Sequence, residues 1–371
     1  MEKSTRMLAL CLALLFLLHQ PSSTQEKPTP KKSDAREWWN ARHPGNPLNS
    51  PNAGKMPRIS VRGNQFVDPK GKVHLFKGLS ISDPDKIEYQ GHWTKGHFER
   101  VKGTGAQLVR IPVHPVAWRE RSPAGYLALL DQAVEWCTEL GMYVIIDWHT
   151  IGNLKTELFQ DPMYNTSMRE TYEFWRIISR HFSGNNTVAF YELFNEPTLF
   201  FNQLGRMSWT EWREINEDLI AMIRSYDRDV VPLVAGLDWA YDLAPLRDDP
   251  VRAGNIGYVT HPYPHKRSAP WEGKWEEDFG FAAGAFPLMA TEIGFTAGKE
   301  GMADNGAYGD AILDYLEAKG ISWIAWVYDP EWGPAMIKSW DTYALTENGD
   351  FFVKAMRGLR TKVSKAPPPG K

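Results

Sequence analysis

The chain has 371 residues, 43% of them hydrophobic, which is enough for one large domain or two ordinary ones with a substantial core. Forty-two Lys and Arg against 45 Asp and Glu leave a formal charge of −3, and with no basic run or aromatic RNA-binding signature there is no sign of a nucleic-acid partner. A polar, neutral ligand suits this balance better; the sixteen tryptophans offer flat faces on which sugar rings stack, though Trp also fills large cores.

Lys3 and Arg6 give a charged start, Met7 to Leu18 an apolar stretch, and Pro21-Ser22-Ser23-Thr24 a set of small residues. That is the pattern of an export signal over residues 1–24. The stretch of twelve residues is short of the roughly 18 that span a bilayer, and Leu10 before Cys11 argues against a lipoprotein signal. The expectation is a secreted protein, extracellular or periplasmic, without a membrane partner. Only Cys137 remains after cleavage, so no intramolecular disulfide can form. Residues 25–57 read as a linker and extended N-terminal arm: a charged, Pro-containing run, a short helix from Asp34 to Arg42 carrying Trp38 and Trp39, then Pro, Asn and Gly that forbid regular structure. A Trp pair is unfavourable in water. The arm is therefore expected to bury it, either on the domain's own exterior or in the mouth of a cleft, and a neighbour's cleft would imply self-association.

Ile59 to Val67 and Lys72 to Phe76, joined by Asp68-Pro69-Lys70-Gly71, predict a β-hairpin. An alternation of strands and helices follows. The predicted strands are Leu75 to Leu79, Leu108 to Pro112, Tyr143 to Trp148, Val188 to Phe194, Val231 to Ala235, Ile256 to Thr260, Leu288 to Thr291 and Ile321 to Val327. Helices are clearest at Tyr126 to Leu140, Met168 to Phe182, Thr210 to Tyr226 and Ala307 to Lys319, with Gly141 and Gly320 as C-terminal stops. Eight largely apolar strands with crossovers predict a closed (β/α)8 barrel, the TIM-type α/β fold, over residues 58–360, followed by a Pro-rich tail at 361–371. A doubly wound open sheet would want a glycine-rich phosphate loop after its first strand, and none is there.

Two acids stand where predicted strands end: Glu196 in Asn195-Glu196-Pro197 and Glu292 in Thr291-Glu292-Ile293-Gly294. An ionised group is costly to bury unless it is paired or used, and in a parallel barrel the C-terminal strand ends converge on one site. Paired carboxylates in an open cleft are the equipment of glycosidic bond hydrolysis. Reading the strand ends in order gives Arg110, His149, Asn195-Glu196, His261-Pro262-Tyr263, Glu292 and Trp326.

This ordered set resembles glycoside hydrolase family 5, a cellulase family of retaining (β/α)8 barrels, over roughly residues 58 to 358. The resemblance implies Glu196 as general acid/base and Glu292 as nucleophile, with Arg110 and Tyr263 as partners of the nucleophile. It further implies that Asn195 holds the sugar 2-hydroxyl, that His149 and His261 orient acid and sugar, and that Trp326 is the floor beneath the ring before the scissile bond. The physics of those roles asks for a protonated acid in apolar or like-charged surroundings and an ionised nucleophile beside cations and donors. The implied activity is a secreted endo-β-1,4-glucanase acting with retention on a β-linked polysaccharide or oligosaccharide. A β-1,3-1,4-glucanase or β-mannanase shares the same catalytic set, and a catalytically inactive carbohydrate-binding barrel is the alternative of another class.

Trp136, Trp175, Trp209 and Trp212 fall in helical segments and read as packing residues, whereas Trp93, Trp118, Trp148, Phe200, Phe201, Trp271 and Trp332 fall in or beside strand-to-helix loops and read as cleft walls. Substrate contacts are assigned to Trp326, Trp148, Trp118, His114 and Trp332. His261 and His265 are separated by two prolines and cannot share a helix face as a metal pair would, so neither metal nor organic cofactor is implied.

Overall fold

The computed structural model describes residues 54–295 and 305–360. The export signal, Trp38 and Trp39 of the arm, and the Pro-rich tail lie outside the described residues.

A short hairpin, β1 (Ser60–Arg62) and β2 (Gln65–Val67), precedes β3 (Lys77–Ser80), β4 (Leu108–Val113) and β5 (Tyr143–Trp148). Then come β6 (Ile151–Asn153), β7 (Leu158–Phe159), β8 (Val188–Glu192), β9 (Glu196–Pro197), β10 (Val231–Ala235), β11 (Gly257–Thr260), β12 (Leu288–Ile293) and β13 (Ser322–Ala325). Eight of these, in the order β3-β4-β5-β8-β10-β11-β12-β13, close on themselves as a barrel of parallel neighbours, and β7, β6 and β9 form a small sheet beside it. The predicted helices are present at Pro123–Leu140, Met168–His181, Trp209–Arg224 and Asn305–Lys319, and Gly141 and Gly320 end the first and last of them at φ of 68°. Among the described residues no helix is long and apolar enough to cross a membrane.

The hairpin differs from its expected form. Its turn falls at Gly63-Asn64, inside the stretch predicted as one strand, because Gly63 takes a φ of 58° that a side-chain-bearing residue resists. The segment after Asp68-Pro69-Lys70-Gly71 returns only as a single bridge between Val67 and Val73.

Strand alternation explains how the barrel carries both a core and a site. Residues i and i+2 face the same way, so five of the barrel strands offer the interior an apolar residue and then, one pleat nearer the C-terminal mouth, a polar one or Trp. The pairs are Leu108 and Arg110, Ile145 and Asp147, Phe190 and Glu192, Met289 and Thr291, Ile324 and Trp326. The lower members form an interior cluster that Phe66 of the hairpin joins, edge-on to Phe190 at 5.1 Å. The outward members, such as Val109, Ile111, Val144 and Ile146, pack in the main cluster with the helices.

Close strand approach is written into Gly78 of β3. A β-carbon there would sit 2.1 Å from the Leu108 carbonyl oxygen, so Gly78→Ala must force β3 from β4. The expected cost is about 1–3 kcal/mol, read as a lower denaturation midpoint; an unchanged midpoint would mean the strands can part freely.

Candidate active site

Arg110 is fully buried at the centre of the upper layer. Its Nε and Nη2 donate to both oxygens of Glu192 at 2.8 and 2.9 Å, Nη1 donates to Glu292 Oε1 at 2.8 Å, and Nη2 also reaches Asn195 Oδ1 at 2.7 Å and Asp147 Oδ2 at 2.9 Å. The guanidinium fork suits this work, since it presents five donors in a fixed plane. Burial alone would lower the Arg110 pKa, but the charges of Asp147, Glu192 and Glu292 raise it well above its ordinary value. For Glu192, burial pushes upward and is outweighed by the Arg110 charge and by hydrogen bonds from His261 and Arg110, which bring its pKa down to about 2. Asp147 goes the other way, raised by burial although Arg110 opposes it.

Tyr263, in the loop after β11, donates its hydroxyl to Glu292 Oε2 at 2.9 Å. The net shift of Glu292 is upward: burial raises it, His261 and Arg110 lower it, and Glu196 raises it again. The cations and donors expected around this residue are thus in place, although burial outweighs them in the net shift. They are what lets an anion persist there at all.

His261 joins the two halves of the site. Nδ1 lies 2.9 Å from Glu196 Oε1, and Nε2 lies 2.9 Å from Thr291 Oγ1, whose hydroxyl donates to Glu192 Oε1 at 3.0 Å. Burial would lower the His261 pKa, but Glu292, Glu192 and Glu196 raise it from 6.5 to about 9. Both ring nitrogens of the imidazolium then donate. One atom each of Glu196, His261 and Glu292 lies within 4.8 Å of the others, a spacing that a metal could bridge by displacing the proton held on His261.

The raised value fixes a sign. The stability contributed by His261 is fully present below about pH 6.5 and is lost as pH rises through about 9. Unfolding midpoints should fall across that window in the parent protein and fall less in His261→Gln. Equal slopes would contradict the charge assignment.

His149 Nδ1 is 2.6 Å from Asp147 Oδ2, and its ring lies parallel to Trp326 at 5.4 Å and 8°. Burial, with His114 and Arg110 nearby, holds its pKa well below the ordinary range, so the ring is neutral. The Asn195 side chain accepts from Arg110, while its Nδ2 makes no hydrogen bond within the protein.

These groups open into a cleft of about 920 Å³ whose lining includes His114, His149, Asn195, Glu196, Tyr263, Glu292, Trp326 and Trp332. Trp332 stacks at 6.2 Å on Trp326, and His114, held through Nδ1 by Asp83 at 2.9 Å, approaches Trp332 at 5.3 Å. Two assigned substrate contacts do not reach the cleft. Trp148 is 0% exposed: Asp147 takes the inward position on β5, so Trp148 points out and stacks on Phe174 at 4.0 Å. Trp118 is 4% exposed and packs edge-on against the same Phe174 at 4.9 Å. Trp93 and Trp271, expected as cleft walls, also pack, on Phe98 and Trp275. Phe200, Phe201 and Trp332 do line it. Sequence reading missed Asp147 and Glu192, whose signal was a carboxylate inside a strand otherwise apolar throughout. Tyr164, Trp239 and Lys266, also in the lining, sit in loops whose course no local pattern reveals.

The chain is similar to known proteins. A β-glucanase from Saccharophagus degradans, solved in complex with cellotetraose, superposes with a TM-score of 0.83 at 42% identity, covering 87% of this chain and 99% of that one. Endoglucanase E-5 of Thermobifida fusca is 26% identical over 284 residues, 74% of this chain and 56% of that enzyme. An endoglucanase of Clostridium saccharobutylicum is 25% identical over 326 residues, 84% of this chain and 67% of that enzyme. The chain thus spans little more than half the length of the first of these enzymes and two thirds of the second. The sequence model of the cellulase family matches residues 67–331, the stretch holding every strand of the barrel and both mouth acids. The chain belongs to glycosyl hydrolase family 5, the cellulase family.

Proposed function

We propose that this protein is an exported endo-β-1,4-glucanase that cleaves internal bonds of a glucan with net retention. The observation that carries this reading is the separation of the two mouth acids. A carboxylate atom of Glu196 lies within 4.8 Å of one of Glu292. Retaining enzymes hold their carboxyl groups about 5–5.5 Å apart, whereas inverting ones leave roughly 6.5–9.5 Å for a water.

Glu292, with donors from Arg110 and Tyr263, is the better-placed anion of the pair and attacks the anomeric carbon. Glu196 protonates the departing oxygen and then, as a carboxylate, takes a proton from the water that releases the sugar from Glu292. His261 steers the Glu196 carboxyl, and Asn195 Nδ2 is free to donate to the 2-hydroxyl, a contact that tightens as charge develops at the ring. Trp326 and Trp332 supply a stacked floor for the sugars on the glycone side.

Support for a glucan comes from the cellotetraose bound by the β-glucanase relative. A panel of carboxymethylcellulose, mixed-linkage β-glucan and mannan tests it. A rapid fall in viscosity with reducing-end release on the first is expected. Preference for mixed-linkage glucan or mannan would move the assignment within the family, and no release from any of them would leave a binding barrel.

A further inference from the structure

The loop that leaves β13 is fastened by a buried carboxylate outside the catalytic set. Trp332 lines the cleft from this loop, and its backbone N–H donates to Asp329 Oδ1 at 2.8 Å, beside that of Glu331 at 2.7 Å. An aspartate that accepts from backbone two and three residues on closes a tight turn, which sets where Trp332 leaves the chain. The second oxygen has different partners. Oδ2 accepts from Ser82 Oγ and from Lys86 Nζ, both at 2.6 Å, and both belong to the segment after β3, the neighbour of β13 in the closed barrel. Asp329 is fully buried and all four of its contacts are donors, so the carboxylate is satisfied while it ties two loops together.

Lys86 extends the tie to the ring itself. Its ammonium lies 3.0 Å from Glu331 Oε2, 5.3 Å from the centre of the Trp332 ring and 5.7 Å from that of Trp340. A cation at this range is attracted to an indole face, so Trp332 is held through its backbone by Asp329 and through its ring by Lys86. Gln90, at the end of the short helix Pro84–Tyr89, secures the partners: it donates to Glu331 Oε2 at 2.9 Å and accepts from Lys86 Nζ at 3.3 Å and Trp340 Nε1 at 2.9 Å. Packing does not require such a cluster. A largely buried ammonium shared by two carboxylates costs desolvation that an apolar contact would avoid. What it secures is the orientation of a half-buried Trp whose ring lies 16° from parallel with Trp326.

We infer that Asp329 and Lys86 are positioning residues that hold Trp332 in register with Trp326 and so set how strongly the protein favours long sugar chains over short ones. This rests on the reading of Trp326 and Trp332 as the glycone floor. A short donor that stops at Trp326 is cleaved regardless of where Trp332 stands. A longer one gains from the second ring only if that ring lies beneath its next sugars.

The test compares kcat/KM for 4-nitrophenyl β-cellotetraoside and 4-nitrophenyl β-cellobioside, since nitrophenol release counts only chains whose sugars all lie on the glycone side of the scissile bond. The ratio of the long to the short substrate should exceed one in the parent protein and fall about three- to tenfold in Asp329→Asn and in Lys86→Met, mainly through KM of the long substrate, and Lys86→Arg should recover most of it. The amide in Asp329→Asn keeps one oxygen for the turn and loses the anion that holds Lys86, so the fastening is tested apart from the turn. Loss of folded protein, or a general loosening of the site, lowers both substrates alike and leaves the ratio where it was. An unchanged ratio in either variant, while Trp332→Ala lowers it, overturns the fastening and leaves the floor in place. A ratio unchanged in Trp332→Ala overturns the floor and the fastening together.

Discussion

Replacing Glu292 with glutamine should lower turnover on every substrate by about 10⁴-fold or more, because no other group can form the covalent intermediate. The amide keeps the size of the carboxyl, and its oxygen can still accept from Arg110 while its nitrogen donates to the Tyr263 hydroxyl, so the loss is chemical and not a collapse of the site. Glu196→Ala should behave differently. On polysaccharide it should lose roughly 10²–10⁴-fold, the contribution of a general acid, yet aryl glycosides whose leaving group needs no protonation should still release a burst of aryl alcohol. Stopped-flow release of nitrophenol separates the two variants, and equal loss of the burst in both would show that the roles are wrongly divided.

Arg110→Met should have the largest effect on stability. The guanidinium faces Glu192, Asp147 and Glu292, all buried, and without it His261 is the one cation left among the residues shown to contact them. Breaking a buried ion pair by removing one partner costs about 3–5 kcal/mol, since the remaining charge has no compensation. For a protein of this size that corresponds to a fall in the unfolding midpoint of roughly 5 °C. Arg110→Lys should recover only part of the loss, because one ammonium cannot reproduce the paired contacts to Glu192 together with those to Glu292 and Asn195. A midpoint within about 2 °C of the parent for Arg110→Met would mean that the carboxylates reorganise and take up protons without difficulty.

Most of the barrel was legible because its strands are buried on both faces and therefore read as short apolar runs; Tyr143–Trp148 and Val231–Ala235 were located to the residue. The hairpin was misdrawn because the stretch from Ile59 to Val67 looks continuous unless Gly63 is allowed a left-handed turn. Glu196 and Glu292 could be found because each follows an apolar run. Trp148 and Trp118 could not be sorted by proximity to a strand end, since facing is decided by alternation: the inward slot at the end of β5 belongs to Asp147. Trp239 was invisible for a different reason. Its course depends on Lys266 and on bonds between Leu237 and Asp242, which become apparent only once the chain is folded.

The central claim is that Glu292 carries the sugar between two displacements, and covalent trapping tests it most directly. A 2-fluoro cellobioside with a good leaving group slows both steps through the oxocarbenium-like transition state but lets the first proceed, so the intermediate accumulates. Incubation with the intact protein, digestion and mass spectrometry should find one glycosyl unit esterified to the peptide containing Glu292. A label on the Glu196 peptide instead, or no label while the unfluorinated substrate turns over, would contradict the account.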